Sequence, residues 1–98
     1  MAFSLFVTER AQSNINEAID WYEFKGRNLG KSFFTDFEAT LNYILRNPYL
    51  FPLKIHPFRE TTLSNFPYLI IYDIIDDTVV VVSVFNTSKN PLKKPSKF

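Results

Sequence analysis

The sequence predicts an α+β fold in the order β-α-α-β-β-β, a helical hairpin packed on a small antiparallel sheet. Three observations carry that prediction. Residues 11–22 and 33–45 place apolar side chains at helical spacing, with only Lys25-Gly26-Arg27-Asn28 as the break between them. Residues 67–85 hold two runs of β-branched and aromatic residues interrupted by Asp76-Asp77. A shorter apolar run, Phe3-Ser4-Leu5-Phe6-Val7-Thr8, precedes the helices.

Each element follows from local chemistry. Thr8 is placed to cap the first helix, with Glu9 in the first turn where the macrodipole favours an anion. Ala11, Ile15, Ala18, Ile19 and Tyr22 form its buried stripe, while Glu17, Asp20 and Glu23 lie mainly on the other face. Gly26 is the expected C-cap. A second helix starts near Asn28 or Leu29, carries Phe33, Phe34, Phe37, Leu41, Ile44 and Leu45 as its stripe, and ends at Asn47-Pro48. So short a break predicts an antiparallel pair. Tyr49 to Pro57 is rich in proline and reads as a loop or irregular edge. Strands are expected over 58–63, 67–75 and 79–85. Asp76-Asp77 serves as a two-residue hairpin turn that lacks the usual glycine. The run from Val79 to Phe85 is that of a central strand covered on at least one face.

With 98 residues the chain is one domain, and folding buries roughly 65% of its extended surface. Hydrophobic residues make up 46% and aromatics 17%, which excludes a disordered chain. Without cysteine there is no disulfide framework, no thiolate nucleophile and no cysteine zinc site. The single histidine, His56, excludes sites built on several imidazoles. It lies in the proline-rich segment with no carboxylate beside it, which favours ordinary packing over acid–base chemistry. No apolar run reaches the ~18 residues of a membrane span, and no signal-type segment opens the chain. These features predict a soluble, cytoplasmic domain with no metal and no cofactor.

Charge is unevenly spread. Residues 1–88 hold seven Lys/Arg and all ten Asp/Glu, a balance of −3. Residues 89–98 hold Lys89, Lys93, Lys94 and Lys97 and no acid, a balance of +4. The division is a domain over 1–88 and a basic tail over 89–98. That tail suits either a solvated terminus or a contact with an acidic partner.

An ordered set of segments resembles the RelE/ParE toxin superfamily, the toxin halves of bacterial type II toxin–antitoxin systems. The opening strand runs into Thr8-Glu9-Arg10-Ala11. The hairpin carries Trp21-Tyr22 and Phe33-Phe34-Thr35-Asp36-Phe37. Phe58-Arg59 precedes Phe66-Pro67-Tyr68-Leu69-Ile70-Ile71-Tyr72, and Val84-Phe85-Asn86-Thr87-Ser88-Lys89-Asn90-Pro91 closes the pattern. The chain is more similar to the ParE branch, which includes plasmid stabilisation proteins, than to the RelE branch. The resemblance implies a toxin neutralised by a cognate antitoxin and acting by inhibiting DNA gyrase, without chemistry of its own and with nucleic acid involved only indirectly. It also implies a homodimer when the chain is free.

Two departures shape that expectation. The RNA-cleaving RelE branch places an arginine where Leu69 stands, and a tyrosine after the last strand, where this chain has none. An aliphatic side chain neither activates a nucleophile nor stabilises a phosphorane. A ribosome-dependent RelE-type endoribonuclease is therefore the alternative reading, and catalytic residues are expected to be none. ParE-like chains often end the last strand with histidine and a later arginine. Asn86 and Lys89 occupy those positions, which leaves a degenerate, non-toxic member as a further alternative. The candidate target- or partner-binding residues are Arg59, Tyr68, Tyr72, Asn86, Lys89 and Trp21. For Arg59 the competing role is a strand-edge ion pair with Glu60 or Asp73. For Tyr68 and Tyr72, which share strand parity, it is core packing, and for Trp21 it is packing against the second helix.

Overall fold

The computed structural model describes residues 2–88. Strand β1 (Ser4–Val7) leads into α1 (Glu9–Lys25) and α2 (Leu29–Arg46), then a 3-10 turn at Pro48–Leu50. β2 (Leu53–Ile55), β3 (Phe58–Thr62), β4 (Tyr68–Ile75) and β5 (Thr78–Asn86) follow. They form one sheet in the order β1-β5-β4-β3-β2, antiparallel except for the parallel pair β1–β5. The expected α+β hairpin-on-sheet architecture is present. Two details differ from expectation. The Tyr49–Pro57 segment is not a plain loop, because it holds the 3-10 turn and the three-residue β2. Leu53-Lys54-Ile55 is too short and too close to prolines to read as a strand by itself, and pairing with β3 makes it one. The first strand also joins the sheet in parallel, because the hairpin and three further strands separate it from β5.

Helix α1 is fixed at its start. Thr8 Oγ1 accepts a hydrogen bond from the Ala11 amide at 3.1 Å, as a cap should. Further along, Asn14 Oδ1 accepts from the Val84 amide at 3.0 Å, tying α1 to β5 beyond the end of β1. Between these anchors the β4–β5 register jumps, from Ile71 opposite Ser83 to Tyr72 opposite Val81, so that Val82 is the bulged residue.

Gly26 is the C-cap of α1 as expected, its amide donating to the Tyr22 carbonyl at 3.0 Å, but it does not take the left-handed conformation. Gly26 is extended, and Asn28 takes the left-handed conformation at φ 64°. Asn28 makes no side-chain cap. Instead, Glu23 of α1 reaches across, and its carboxylate accepts from the amides of Gly30 at 3.0 Å and Asn28 at 3.3 Å. An anion at a helix N-terminus is favourable on both hydrogen-bonding and dipole grounds. Gly30 permits this crossing, since a Cβ there would lie 2.7 Å from the Ile19 carbonyl oxygen. At the β4–β5 turn, Asp76 supplies the positive φ of 55° that glycine usually provides.

Ala11, Ile15 and Ala18 of α1 meet Phe33, Phe37, Leu41 and Ile44 of α2 over Ile70, Tyr72, Val79 and Val81 of the sheet. At one end Tyr22, Phe33, Phe66 and Tyr68 form a ring cluster with centroids 4.8 to 6.0 Å apart. Each such contact adds about 0.5–1.5 kcal/mol beyond area burial. Asp36, buried on α2, accepts from the Asn65 amide at 2.8 Å and the Ser64 amide at 3.3 Å. It pins the loop that delivers Phe66 and Tyr68.

Candidate functional site

Register and side-chain alternation divide the sheet into two faces. Arg59, Thr61, Tyr68, Ile70, Tyr72, Val79 and Val81 point toward the helices. On the distal face Glu60, Ile71 and Ser83 form one row, and Thr62, Leu69 and Phe85 the next, with Asp73 opposite Val80 beyond them. This face is apolar and acidic. Among the described strands the lysines and arginines are Lys54, on the irregular edge strand β2, and Arg59, on the helix side.

Arg59 is built into the fold. One guanidinium nitrogen, Nη1, donates to the carbonyls of Phe51 at 2.7 Å and Tyr49 at 3.2 Å, and the group lies 5.4 Å from the Tyr49 ring centroid. It holds the 3-10 turn and the approach to β2 against the sheet end. An open cleft of about 270 Å³ beside it is lined by Tyr49, Leu53, His56, Pro57, Arg59, Asp73 and Ile74. That is room for one side chain and falls below the size of an ordinary small-molecule site. His56 lies exposed at the turn between β2 and β3. Asp73 spends Oδ1 on the neighbouring Ile74 amide at 2.7 Å.

Of the two roles weighed for Tyr68 and Tyr72, the structure shows core packing, and their place among the partner-binding candidates is corrected. Both are buried, because their shared parity aims them at the helices. The Tyr72 hydroxyl donates to the Pro48 carbonyl at 2.6 Å, and burial pushes it up to about 12 although Arg59 pulls the other way. Burial likewise raises Tyr68, against the pull of its hydrogen bond with Asn86.

Asn86 is a node at the end of β5. Its amide nitrogen donates to the Tyr68 hydroxyl at 3.1 Å, and Oδ1 accepts from both the amide and the hydroxyl of Ser88 at 2.9 Å. Lys89 lies outside the described residues.

Trp21 sits at the margin of the hairpin as expected, 39% exposed, with its ring edge-on to Tyr22 and the Lys25 ammonium 4.9 Å from its centroid. Phe24, one turn on and 84% exposed, completes an aromatic tip with Leu29. The sequence reading missed Phe24. It lies off the apolar stripe, and that position was the available signal. Lys25, Arg27 and Lys31 surround this tip, while the Glu23 carboxylate is turned inward. The tip is cationic and aromatic, the distal sheet face apolar and acidic. No helix of the described residues is long and apolar enough to cross a membrane.

Comparisons agree with this geometry. Several solved structures share the fold. A chain of the chromosomal ParDE system from P. aeruginosa aligns with a TM-score of 0.76 at 15% identity, covering 87% of this chain and 96% of that one. The intact E. coli RelBE toxin–antitoxin complex gives a TM-score of 0.61 at 23% identity, over 85% of this chain and 94% of that one. A double-arginine mutant of E. coli RelE bound to an antitoxin RelBc peptide gives 0.65 at 24% identity, over 97% and 99%. No curated protein sequence matches. The model of the ParE toxin of the type II toxin–antitoxin system, parDE, matches residues 5–91. Together with the hairpin-on-sheet fold, that match over most of the sequence places the chain in the ParE toxin family of type II toxin–antitoxin systems.

Proposed function

We propose that this toxin acts by gripping another protein in the cytoplasm, with DNA gyrase as its target and a cognate antitoxin as the partner that silences it. The distal sheet face carries this reading. Cleaving RNA through its 2′-hydroxyl requires a base, a stabiliser of the phosphorane charge and an acid for the leaving oxygen. Leu69 lies 7% exposed between Thr62 and Phe85, and in the neighbouring row Ile71 and Ser83 are buried, with the Ser83 hydroxyl 3.4 Å from Asn14 Oδ1. Arg59 faces the other way, with Nη1 held by two carbonyls.

The toxin–antitoxin complexes among the structural neighbours support an antitoxin partner. Two surfaces suit an extended or helical segment of it. One is the hairpin tip of Trp21, Phe24 and Leu29. The other is the β1 edge, where Leu5 and Phe6 are 41% and 58% exposed. The opposite edge is blunted, since β2 has three residues between Pro52 and Pro57 and carries Lys54, whereas β1 has no such guard. Without a partner these apolar surfaces favour self-association into a homodimer.

The test is a supercoiling assay with purified gyrase and relaxed plasmid, run beside a ribosome-bound message. Inhibited supercoiling that the antitoxin reverses, with the message intact, supports the reading. An unaffected gyrase and a cut message refute it.

A further inference from the structure

We propose that the cleft at the open end of the β3–β4 ladder takes one asparagine or glutamine side chain of the antitoxin, with Arg59 donating to its carboxamide oxygen and Asp73 accepting from its nitrogen. The proposal rests on the antitoxin reading above and adds a contact which that reading does not contain. β3 and β4 pair with Arg59 opposite Tyr72, and the Glu60 amide is turned to β2, where it donates to the Pro52 carbonyl at 3.2 Å. Arg59 therefore shares main-chain bonds with Tyr72, and the next such pair in this register is Pro57 with Ile74. Pro57 has no N–H to give, and the Ile74 amide turns to Asp73 Oδ1 at 2.7 Å instead. The ladder stops there, and the cleft of about 270 Å³ opens at its end.

Two opposite charges line that space and do not meet. Alternation brings Arg59 to it from the helix side of the sheet and Asp73 from the distal side, and among the described residues no ion pair joins them. The carbonyls of Tyr49 and Phe51 engage Nη1 of Arg59, which leaves the Nε and Nη2 donors uncommitted. Asp73 has engaged Oδ1 and keeps Oδ2 as an acceptor. A carboxylate guest satisfies Arg59 and is repelled by Asp73, and an ammonium meets the reverse conflict. A carboxamide is neutral, carries an acceptor and a donor group side by side, and satisfies both walls. The space suits one side chain, and the exposed Tyr49 and Leu53 at its rim offer apolar contact to the stem. The short β2 blunts this edge against an added strand, but a single side chain needs no free strand edge. The antitoxin is the occupant because it is the partner that the toxin–antitoxin complexes among the structural neighbours support.

The experiment uses the full chain and its cognate antitoxin. Each Asn and Gln in the toxin-binding segment of the antitoxin is changed in turn to Asp or Glu, and affinity is measured by calorimetry. The toxin is used as the parent and as Asp73→Asn, with thermal unfolding as the fold control. Asp73→Asn keeps an oxygen for the Ile74 amide and turns the remaining acceptor into a donor, so the cleft then favours a carboxylate. The expected result is one antitoxin position where the acid weakens binding to the parent at least tenfold, the scale of a misfit at a charged hydrogen bond, and strengthens binding to Asp73→Asn. A merely structural role for Asp73 changes both affinities alike and produces no such exchange of preference. An antitoxin that binds the parent tightly but shows no such position, or loses equally on both toxins, overturns the proposal alone. A cognate antitoxin that does not bind the folded parent overturns the antitoxin reading and the proposal together.

Discussion

Removal of the Asp36 carboxylate is the sharpest test of how the fold is held. Asp36 is 7% exposed on α2 and accepts from the Asn65 amide at 2.8 Å and the Ser64 amide at 3.3 Å. Hydrogen bonds to a charged group contribute about 1.5–3 kcal/mol each. The longer bond belongs at or below the bottom of that range, and Ser64 and Asn65 are exposed, so water replaces part of what is lost. Asp36→Ala should therefore cost about 2–3 kcal/mol. At 4–8 °C per kcal/mol for a domain of this size, that lowers Tm by roughly 8–24 °C. Asp36→Asn retains one acceptor and should lose about half as much. Urea unfolding of the three chains, compared at constant m, measures the difference. A loss under 0.5 kcal/mol for Asp36→Ala would show that the loop before β4 stands without this pin.

Three further outcomes follow from the same contacts. Gly30→Ala gains helix propensity of about 1 kcal/mol but drives a Cβ to 2.7 Å from the Ile19 carbonyl oxygen, so a net loss of about 1–3 kcal/mol is expected in thermal unfolding; unchanged or raised stability would mean that the helices cross more loosely. Burial raises Tyr72 to about 12 and moves Tyr22 and Tyr68 in the same direction, so the folded state prefers the neutral phenols. Their contribution is complete below pH 10 and is lost as pH rises through the raised values, so Tm should be level up to about pH 10 and fall toward pH 12. Tyr72→Phe should flatten part of that fall. Phe24→Ser, at a side chain 84% exposed, should leave stability within about 0.5 kcal/mol yet weaken antitoxin binding at least tenfold by calorimetry; equal affinity would remove the hairpin tip from the interface.

Helix periods, the two long strands and their turn were readable in the sequence because each is a local pattern. Thr8 capped α1 as its side chain dictates. What the sequence hid depends on pairing at a distance. β2 exists through β3, β1 is parallel because of intervening chain, and Glu23 rather than Asn28 satisfies the start of α2. The site was legible in part. Tyr68 and Tyr72 shared a face, as parity required, but parity alone does not say which face the helices cover. Leu69 lies on the distal face, beside Thr62 and Phe85. Arg59 turned out to clasp Tyr49 and Phe51 carbonyls, a contact that depends on a 3-10 turn with no sequence signature beyond its prolines.

The most direct test of the central claim is induced expression of the chain alone in bacteria, with growth, the DNA-damage response and translation followed in parallel. Growth arrest with a DNA-damage response and intact translation is the predicted result. Arrest with rapid loss of translation and cleaved messages would contradict the account, and would mean that a face built of Glu60, Leu69, Ile71 and Phe85 supports chemistry for which its side chains are unsuited.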